Sequence, residues 1–385
     1  MNLADYLDDS DATSNLYGLG KTVSIHGTVI PLAHGKSIEL TQGSLAILGV
    51  CESRNSNNPS ASLAPDLIRS FLFGLSGATL RKPLIDLGNI KQTSSPADTY
   101  MALRDVVNHL AEKGVATIIL GGTQELTWPL YLALSAQSKP LNISLIDYKL
   151  DMDSRDDDFS SSSYVNKILK EAVDHIFSVN LLGFQSYMND NSLISKFEKK
   201  SHTALRLGYV RGSMSEVEPY LRDSNIVSFD MGSVRQGDCP GNILPSPNGL
   251  YAEEACQLAR YAGLGGRTQC FGIFELSAKN DRDGQSAHLA AQIAWHFIDA
   301  YNHRKVNFTN HNIQKAKRFY VKSPIPNVEL VFIKSNSTDA WWMEVPGGDK
   351  SKGEPILVAC SHNDYKLASN GDVPDRWLKA LKRIS

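Results

Sequence analysis

The sequence of 385 residues predicts an α/β protein of three layers, in which helices cover both faces of a largely parallel sheet. Two patterns predict this fold class. Short, nearly continuous apolar runs alternate with longer helical segments, as expected for parallel strands that are covered on both faces. Polar residues also follow several of the apolar runs directly, and open parallel sheets carry their functional sites at the carboxyl ends of the strands.

The apolar runs predict the strands, and the segments between them predict the helices. In the helix predicted at 96–113, Ser95 is a suitable cap, Pro96 takes the first helical position and Gly114 stops the helix. The alternation implies right-handed crossovers and a sheet of about eight strands. The predicted strands are residues 45–50, 83–87, 116–120, 143–147, 175–179, 226–230 and 270–275, and further helices are predicted at 251–262 and 285–301.

The same rhythm predicts how the chain is divided. Residues 45–305 are expected to form the α/β domain, and residues 1–44 an N-terminal addition. The strand–helix alternation stops soon after residue 302, so residues 306–385 are predicted to be a C-terminal extension that packs on the main domain. Within this extension, strands are predicted at 328–334 and 356–359, and helices at 363–368 and 374–382.

Composition and charge argue against several classes of protein. The formal net charge is −2 and the pI is about 6.6, so neither a nucleic-acid partner nor a membrane surface is expected. No apolar run approaches the roughly 20 residues that cross a bilayer, and the acidic start does not resemble a signal peptide. The 5 scattered cysteines indicate reduced thiols and a cytoplasmic protein. Because no Cys-x-x-Cys or His-x-x-x-His pair occurs, neither a thiolate zinc site nor a histidine-rich metal site is predicted.

Four blocks of polar residues follow predicted strands and are expected to meet at one edge of the sheet. They are residues 121–124, 147–151, 228–241 and 275–278. The acidic segment 151–163 fails the pattern of a calcium-binding loop at its fifth, sixth and twelfth positions, and it is predicted to be a solvated loop.

In this order the blocks resemble those of the ureohydrolases, the family of arginase, agmatinase and formimidoylglutamase. That family carries Gly-Gly-Asp-His, Asp-Ala-His-x-Asp, Ser-x-Asp-x-Asp-x-x-Asp-Pro-x-x-Ala-Pro-Gly and Glu-x-Asn-Pro. The third block is the most specific, because Ser228, Asp230, Pro240 and Gly241 fall at matching spacing. The resemblance covers roughly residues 45–305 and implies the arginase-type fold, and the stretches 247–263 and 341–346 resemble a bacterial formimidoylglutamase branch.

The resemblance implies a metal centre that has lost half of its ligands. In the family, two manganese ions hold and activate a hydroxide that attacks a guanidinium or formimino carbon. Asp147, Asp151 and Asp230 occupy three of the six ligand positions, whereas Gln124, Lys149 and Gly232 occupy the other three. An amide is a poor substitute for imidazole, glycine has no side-chain ligand atom, and a protonated lysine repels a metal cation. Manganese is thus the family metal, but no bound cofactor is expected in the isolated protein.

The sequence leaves two possible roles open for each of two residues in these blocks. Glu275 matches the family glutamate that contacts the cationic nitrogen group of the substrate, and the alternative is a strand-end carboxylate paired with a nearby Lys or Arg. Lys149 is predicted to pair with Asp147, Asp151 or Asp230 and to supply the positive charge of the lost metals. Alternatively, Lys149 turns to solvent and the three aspartates hold one magnesium or calcium ion.

Three functional hypotheses follow. The first is a catalytically impaired or repurposed ureohydrolase homologue that binds a small cationic or amino-acid-like ligand. The second is an active C–N hydrolase of the formimidoylglutamase type, which acts on linear amidines, and the third is an oligomeric scaffold. Self-association into a trimer or hexamer is expected, because family members commonly form them and because Trp341 and Trp342 offer apolar surface.

Overall fold

A ten-stranded sheet forms the centre of the computed structural model, which describes residues 1–10, 20, 23–31, 40–137, 140–153, 159–171, 175–304, 316–347 and 354–384. Its strand order is β1-β4-β3-β5-β10-β9-β6-β7-β8, and β2 also pairs with β4. Every pairing is parallel except that of β1 with β4. The strands are β1 (Leu7–Asp8), β2 (Ile30–Pro31), β3 (Leu45–Val50), β4 (Leu84–Ile90), β5 (Ala116–Leu120), β6 (Leu141–Ile146), β7 (Ile176–Phe184), β8 (Thr203–Arg206), β9 (Ile226–Asp230) and β10 (Cys270–Phe274).

Helices cover both faces of this sheet and bury two separate apolar cores. Helices α1, α6, α7, α8 and α9 pack on one face, and α2, α3, α4 and α5 pack on the other. The three-layer α/β fold with a largely parallel sheet is therefore confirmed. The helices are α1 (Ala64–Leu72), α2 (Pro96–Glu112), α3 (Thr127–Ser135), α4 (Tyr164–Glu171), α5 (Asn191–Lys199), α6 (Leu207–Gly212), α7 (Met214–Arg222), α8 (Ala252–Leu264) and α9 (Gln285–His303).

Local chemistry fixes the ends of helix α2 as its sequence predicts. The Ser95 side chain accepts a hydrogen bond from the Asp98 backbone N–H, and Pro96 begins the helix. Gly114 follows the helix with a φ of 69°, a conformation that glycine adopts at little steric cost.

The C-terminal residues form a second, antiparallel sheet with the order β11-β12-β13-β14. Two helices pack on it around Phe332, Met343 and Trp377, which are at most 1% exposed. The strands and helices predicted in this part are confirmed, whereas the predicted boundary near residue 305 falls outside the described residues, so the division into domains stays a prediction. The elements are β11 (Lys317–Lys322), β12 (Glu329–Lys334), β13 (Trp341–Val345), β14 (Ile356–Cys360), α10 (His362–Ser369) and α11 (Asp375–Ile384).

One buried arginine attaches this second sheet to the main domain. Arg222, at the end of α7, donates through Nη2 to the carbonyl oxygens of Trp341 and Cys360, at 3.1 Å each. Its guanidinium carbon also lies 4.2 Å from the centre of the Trp342 ring. Trp341 and Trp342 are only 7% and 6% exposed, so the expectation that they offer apolar surface for self-association is wrong.

Among the helices of the described residues, none combines the length and the apolar character that crossing a membrane requires.

Candidate functional site

The predicted polar blocks meet because their strands are neighbours in the sheet. Strands β5, β10, β9 and β6 lie side by side, and all are parallel, so their carboxyl ends share one edge. A cavity of about 770 Å³ opens at this edge. Its lining includes the sequence-predicted residues Gln124, Lys149, Asp151, Asp230 and Glu275.

A tight turn of two glycines places Gln124 beside the end of β5. Gly121 and Gly122 have φ values of 74° and 73°, which favour glycine. A β-carbon on Gly122 would lie 2.8 Å from the carbonyl oxygen of Val50. Both the backbone conformation and the close approach of β3 therefore require glycine here.

Glu275 has a left-handed backbone at the end of β10, with a φ of 63°. Such a conformation costs a non-glycine residue of the order of 1–3 kcal/mol and occurs mainly where surrounding contacts fix it. Here the Gln124 backbone N–H donates to Glu275 Oε1 at 3.0 Å, and Asn58 Nδ2 donates to Oε2 at 3.2 Å. Among the described residues, no Lys or Arg forms an ion pair with Glu275, so neutral donors hold this carboxylate.

Asp147, Asp151 and Gln124 form a connected group at the floor of the cavity. Asp147 Oδ1 accepts from the Lys149 backbone N–H at 2.8 Å. With its carbonyl oxygen turned away from the carboxyl groups, Gln124 donates its amide to Asp147 Oδ2 at 2.8 Å and Asp151 Oδ2 at 3.2 Å, and it accepts from Ser228 Oγ at 3.2 Å.

Burial raises the pKa of every carboxyl group in this floor. Desolvation raises the pKa of Asp147, Asp151 and Asp230 well above its ordinary range, and repulsion between neighbouring carboxylates raises it further. The pKa of the neighbouring Glu125 is raised to about 8, by burial first and then by Glu275. A cation bound beside these carboxyl groups would oppose this rise in their pKa.

The position of Lys149 is intermediate between the two predicted arrangements, an ion pair with an aspartate and a side chain turned to solvent. Its Nζ is 3.9 Å from Asp151 Oδ1, and its side chain is 39% exposed. A partly solvated pair at this distance contributes little stability. The Gln124 amide, not the Lys149 ammonium, makes the close contacts with the carboxyl groups.

Tyr148 fills the space beside Gly232. A β-carbon on Gly232 would lie 2.8 Å from Tyr148 Cε1, 3.0 Å from Asp230 Oδ1 and 3.2 Å from Asn242 Nδ2. The Asp230 carboxylate accepts from the Gly232 N–H at 2.6 Å, which holds the two residues together. Over the described residues, no group of three His, Cys, Asp or Glu side chains is arranged to hold a metal ion.

Several lining residues were not singled out from the sequence. Arg54, Asn55 and Asn58 follow strand β3, so the strand-end rule applied to 45–50 could have found them. The loop after Asp151 was interpreted as solvated, but Asp151 is only 6% exposed and residues 160–163 line the cavity. That interpretation is wrong for the buried Asp151 and Ser163, whereas Ser160, Ser161 and Ser162 are partly or fully exposed, and 154–158 lie outside the described part of the chain.

Comparison with known proteins gives the family. Formimidoylglutamases of Salmonella paratyphi C and Citrobacter koseri are 23% and 24% identical to this chain, and each comparison covers 75% of this chain and 93% of the relative. The solved Bacillus subtilis formimidoylglutamase superposes with a TM-score of 0.66 at 18% identity, covering 78% of this chain and 98% of that chain. Trypanosoma cruzi formiminoglutamase, solved with Mn²⁺, gives a TM-score of 0.63 at 20% identity, covering 68% and 94%.

These structural likenesses show the shared fold. The sequence profile of the arginase family matches residues 44–299, which is more than half of the chain and contains all four polar blocks. The chain therefore belongs to the arginase family.

Proposed function

We propose that this arginase-family protein binds a small cationic or amino-acid-like ligand in the strand-end cavity without a dimanganese centre. It is then a catalytically impaired or repurposed homologue of the hydrolases. One observation carries the proposal. The Gln124 amide donates to the carboxyl groups of both Asp147 and Asp151, so a neutral donor contacts carboxyl groups that bind metal ions in the family.

The residues present do not fit a pair of manganese ions. Manganese prefers carboxylate, imidazole and water ligands, but an amide, a lysine and a glycine hold three of the family positions. The Tyr148 ring also lies where a side chain on residue 232 would project. We therefore derive no hydrolytic step through a metal-bound hydroxide.

The charges of the cavity suit a cationic group at the floor. Asp151, Asp230 and Glu275 line the cavity and are at most partly exposed, and Asp147 shares the Gln124 amide with Asp151. A bound amidinium or ammonium group would be attracted to these carboxyl groups and would favour their ionised form. Arg54 and Lys149 line the same cavity with partly exposed side chains, which gives a carboxylate of an amino-acid-like ligand two cationic partners.

Metal analysis and ligand-induced stabilisation test this proposal together. After manganese loading and dialysis, we expect no stoichiometric manganese in the protein. We expect arginine, agmatine or N-formimidoyl-L-glutamate to raise the melting temperature, since a ligand that binds only the folded state stabilises it. Glutamate, which lacks the added cationic group, is the matched control ligand, and Glu275→Gln should reduce the stabilisation. Two manganese ions retained per chain would contradict the proposal.

The second candidate is an active formimidoylglutamase-type hydrolase. The names of the similar curated proteins favour it, because both relatives cited above are formimidoylglutamases. Manganese-dependent hydrolysis of N-formimidoyl-L-glutamate by the purified protein would establish this activity and exclude the binding-only role. If no ligand stabilises the protein and no hydrolysis occurs, the scaffold hypothesis is the one that stands.

We also propose that the protein self-associates into a trimer or hexamer, as the family resemblance implies. Light scattering at micromolar concentration tests this, and a monomer would contradict it. Because Trp341 and Trp342 are buried within the chain, the contact surface has to lie elsewhere.

A further inference from the structure

We propose that Tyr148 is a specificity-determining residue that takes the place of an aspartate ligand and makes the cavity select an organic cation over a second metal ion. This inference rests on the proposed function and names the residue responsible for the choice of ligand. Two departures from the family blocks support it. Tyr148 stands where the second block has alanine, and Gly232 stands where the third block has aspartate.

The two departures are in contact in the fold. Tyr148 follows strand β6 and Gly232 follows β9, and these strands pair directly. The ring carbon Cε1 of Tyr148 would lie 2.8 Å from a β-carbon on Gly232, which is closer than two such carbons can approach. The Gly232 backbone is outside the left-handed region, so its conformation alone would accept a side chain. An aspartate at 232 would therefore require the Tyr148 ring to move, whereas the backbone conformation at 232 accepts a side chain.

A buried hydrogen-bond donor lies beside the same point. Asn242 lines the cavity and is 7% exposed, and its Nδ2 finds no acceptor among the described residues. This nitrogen would lie 3.2 Å from a β-carbon on Gly232. A buried donor without a partner costs free energy, and an acceptor atom of a ligand would recover it. The same N–H dipole repels any cation, so this point suits an acceptor atom of the ligand, such as a carboxylate oxygen, and neither a metal ion nor a cationic group.

The cavity lacks an aspartate at position 232 and has an aromatic ring at position 148. Together these two departures change which cation the cavity prefers. A divalent ion loses a hard, anionic ligand, and a protonated phenol is a poor replacement for it. An organic cation with diffuse charge keeps the carboxyl groups of Asp151 and Asp230 and gains an aromatic neighbour. The substrate class inferred for this cavity is therefore an organic amidinium, guanidinium or ammonium compound.

Restoring the metal ligands with and without Tyr148 tests the inference. The triple variant Gln124→His, Lys149→His, Gly232→Asp keeps Tyr148, and the quadruple variant adds Tyr148→Ala. Titration calorimetry and electron paramagnetic resonance with Mn²⁺ count the bound ions and their coupling. We expect the quadruple variant to bind two ions, the second about 10-fold or more tighter than the triple variant binds it. Equal stoichiometry and affinity in the two variants would overturn the inference.

A second measurement keeps the inference testable if those variants do not fold. Gly232→Ala should lower the melting temperature in the presence of Tyr148, and the loss should shrink when Tyr148→Ala is added, because the two side chains compete for one space. An equal loss in both backgrounds would show that the ring does not fill the space. Gly232→Ala combined with Tyr209→Ala, which removes a tyrosine outside the cavity lining, is the matched control.

Measuring ligand binding to Tyr148 variants distinguishes a failure of this inference from a failure of the proposed function. With arginine as the probe, Tyr148→Ala should weaken binding several-fold, while Tyr148→Phe should retain most of it. If arginine binds the wild type and Tyr148→Ala equally well, Tyr148 is not the determinant although the cavity still binds cations. If the wild type holds two manganese ions per chain, the proposed function fails, and the triple and quadruple variants still decide the role of Tyr148.

Discussion

At the scale of single residues, a buried amide and a partly exposed lysine lie beside the carboxyl groups at the strand ends. Gln124 is fully buried and donates to both Asp147 and Asp151, whereas Lys149 is partly exposed and 3.9 Å from the nearest carboxylate oxygen. An amide in close contact relieves the repulsion between buried carboxyl groups better than a distant, solvated ammonium. The sequence suggested Lys149 for this role, because distance and exposure cannot be read from spacing along the chain.

This comparison predicts unequal effects of two substitutions on stability. Gln124→Leu removes a buried donor from two carboxyl groups and should lower the free energy of unfolding by roughly 1–3 kcal/mol. Lys149→Ala removes a long, partly exposed ion pair and should cost no more than about 1 kcal/mol. Urea unfolding of both variants at neutral pH measures the difference. A larger loss for Lys149→Ala than for Gln124→Leu would restore Lys149 as the substitute for the metals.

The position of a site residue can be predicted from the sequence only where it depends on the residue's own strand. Asp230 and Glu275 were placed correctly at one edge because each follows its own strand directly. The contact between Tyr148 and Gly232 could not be predicted in the same way, because it depends on which strands are neighbours and on how a ring is oriented. A tyrosine at the alanine position of a family block is nevertheless a visible signal.

At the scale of elements, strands that are buried on both faces were predicted well and edge strands were not. Strands β3, β5 and β9 match their predicted residues because each is a continuous apolar run. The short edge strand β8 and the solvent-facing β11 were missed, since neither presents such a run. Helix α11 lies beside β8, where Lys379 Nζ donates to Thr203 Oγ1 at 3.4 Å, so the C-terminal residues shield this edge of the sheet.

Arg222 is expected to be the main polar attachment of the second sheet. Arg222→Leu leaves two buried carbonyl oxygens without a donor and should lower the free energy of unfolding by roughly 3 kcal/mol. Amide hydrogen exchange should become faster in β13 and β14 than in β5. The matched control is Arg260→Leu on α8, where a 40% exposed side chain pairs with Asp299 and should contribute less than about 1 kcal/mol. Similar exchange in the two variants would show that apolar packing alone holds the second sheet.

At the scale of the whole molecule, the elements that form the arginase fold are separate from the strand-end residues on which its chemistry depends. The fold depends on apolar strands and on the helices that cover them, and none of the three altered ligand positions belongs to either core. The residues found at these three positions are therefore compatible with an intact sheet order and cavity. This is why family membership was predictable from the sequence, whereas activity must be argued from the site.

The contacts between the two sheets predict that the chain unfolds as one unit. Besides Arg222, Arg376 is buried with its guanidinium carbon 3.6 Å from the centre of the Tyr220 ring, and its Nε lies 3.3 Å from Asp364. Separating the sheets would expose these charges and aromatic faces without their partners, which makes a half-unfolded state unfavourable.

The distribution of tryptophans makes this prediction measurable with two probes. Trp341, Trp342 and Trp377 belong to the C-terminal elements, and they are three of the 5 tryptophans in the chain. Tryptophan fluorescence therefore reports mainly on the second sheet, whereas far-ultraviolet circular dichroism is dominated by the larger main domain. We expect the two thermal transitions to coincide in the wild type, because the buried arginines couple the sheets. A fluorescence transition at a clearly lower temperature would mean that the second sheet unfolds alone, and that these arginines do not couple it to the arginase fold.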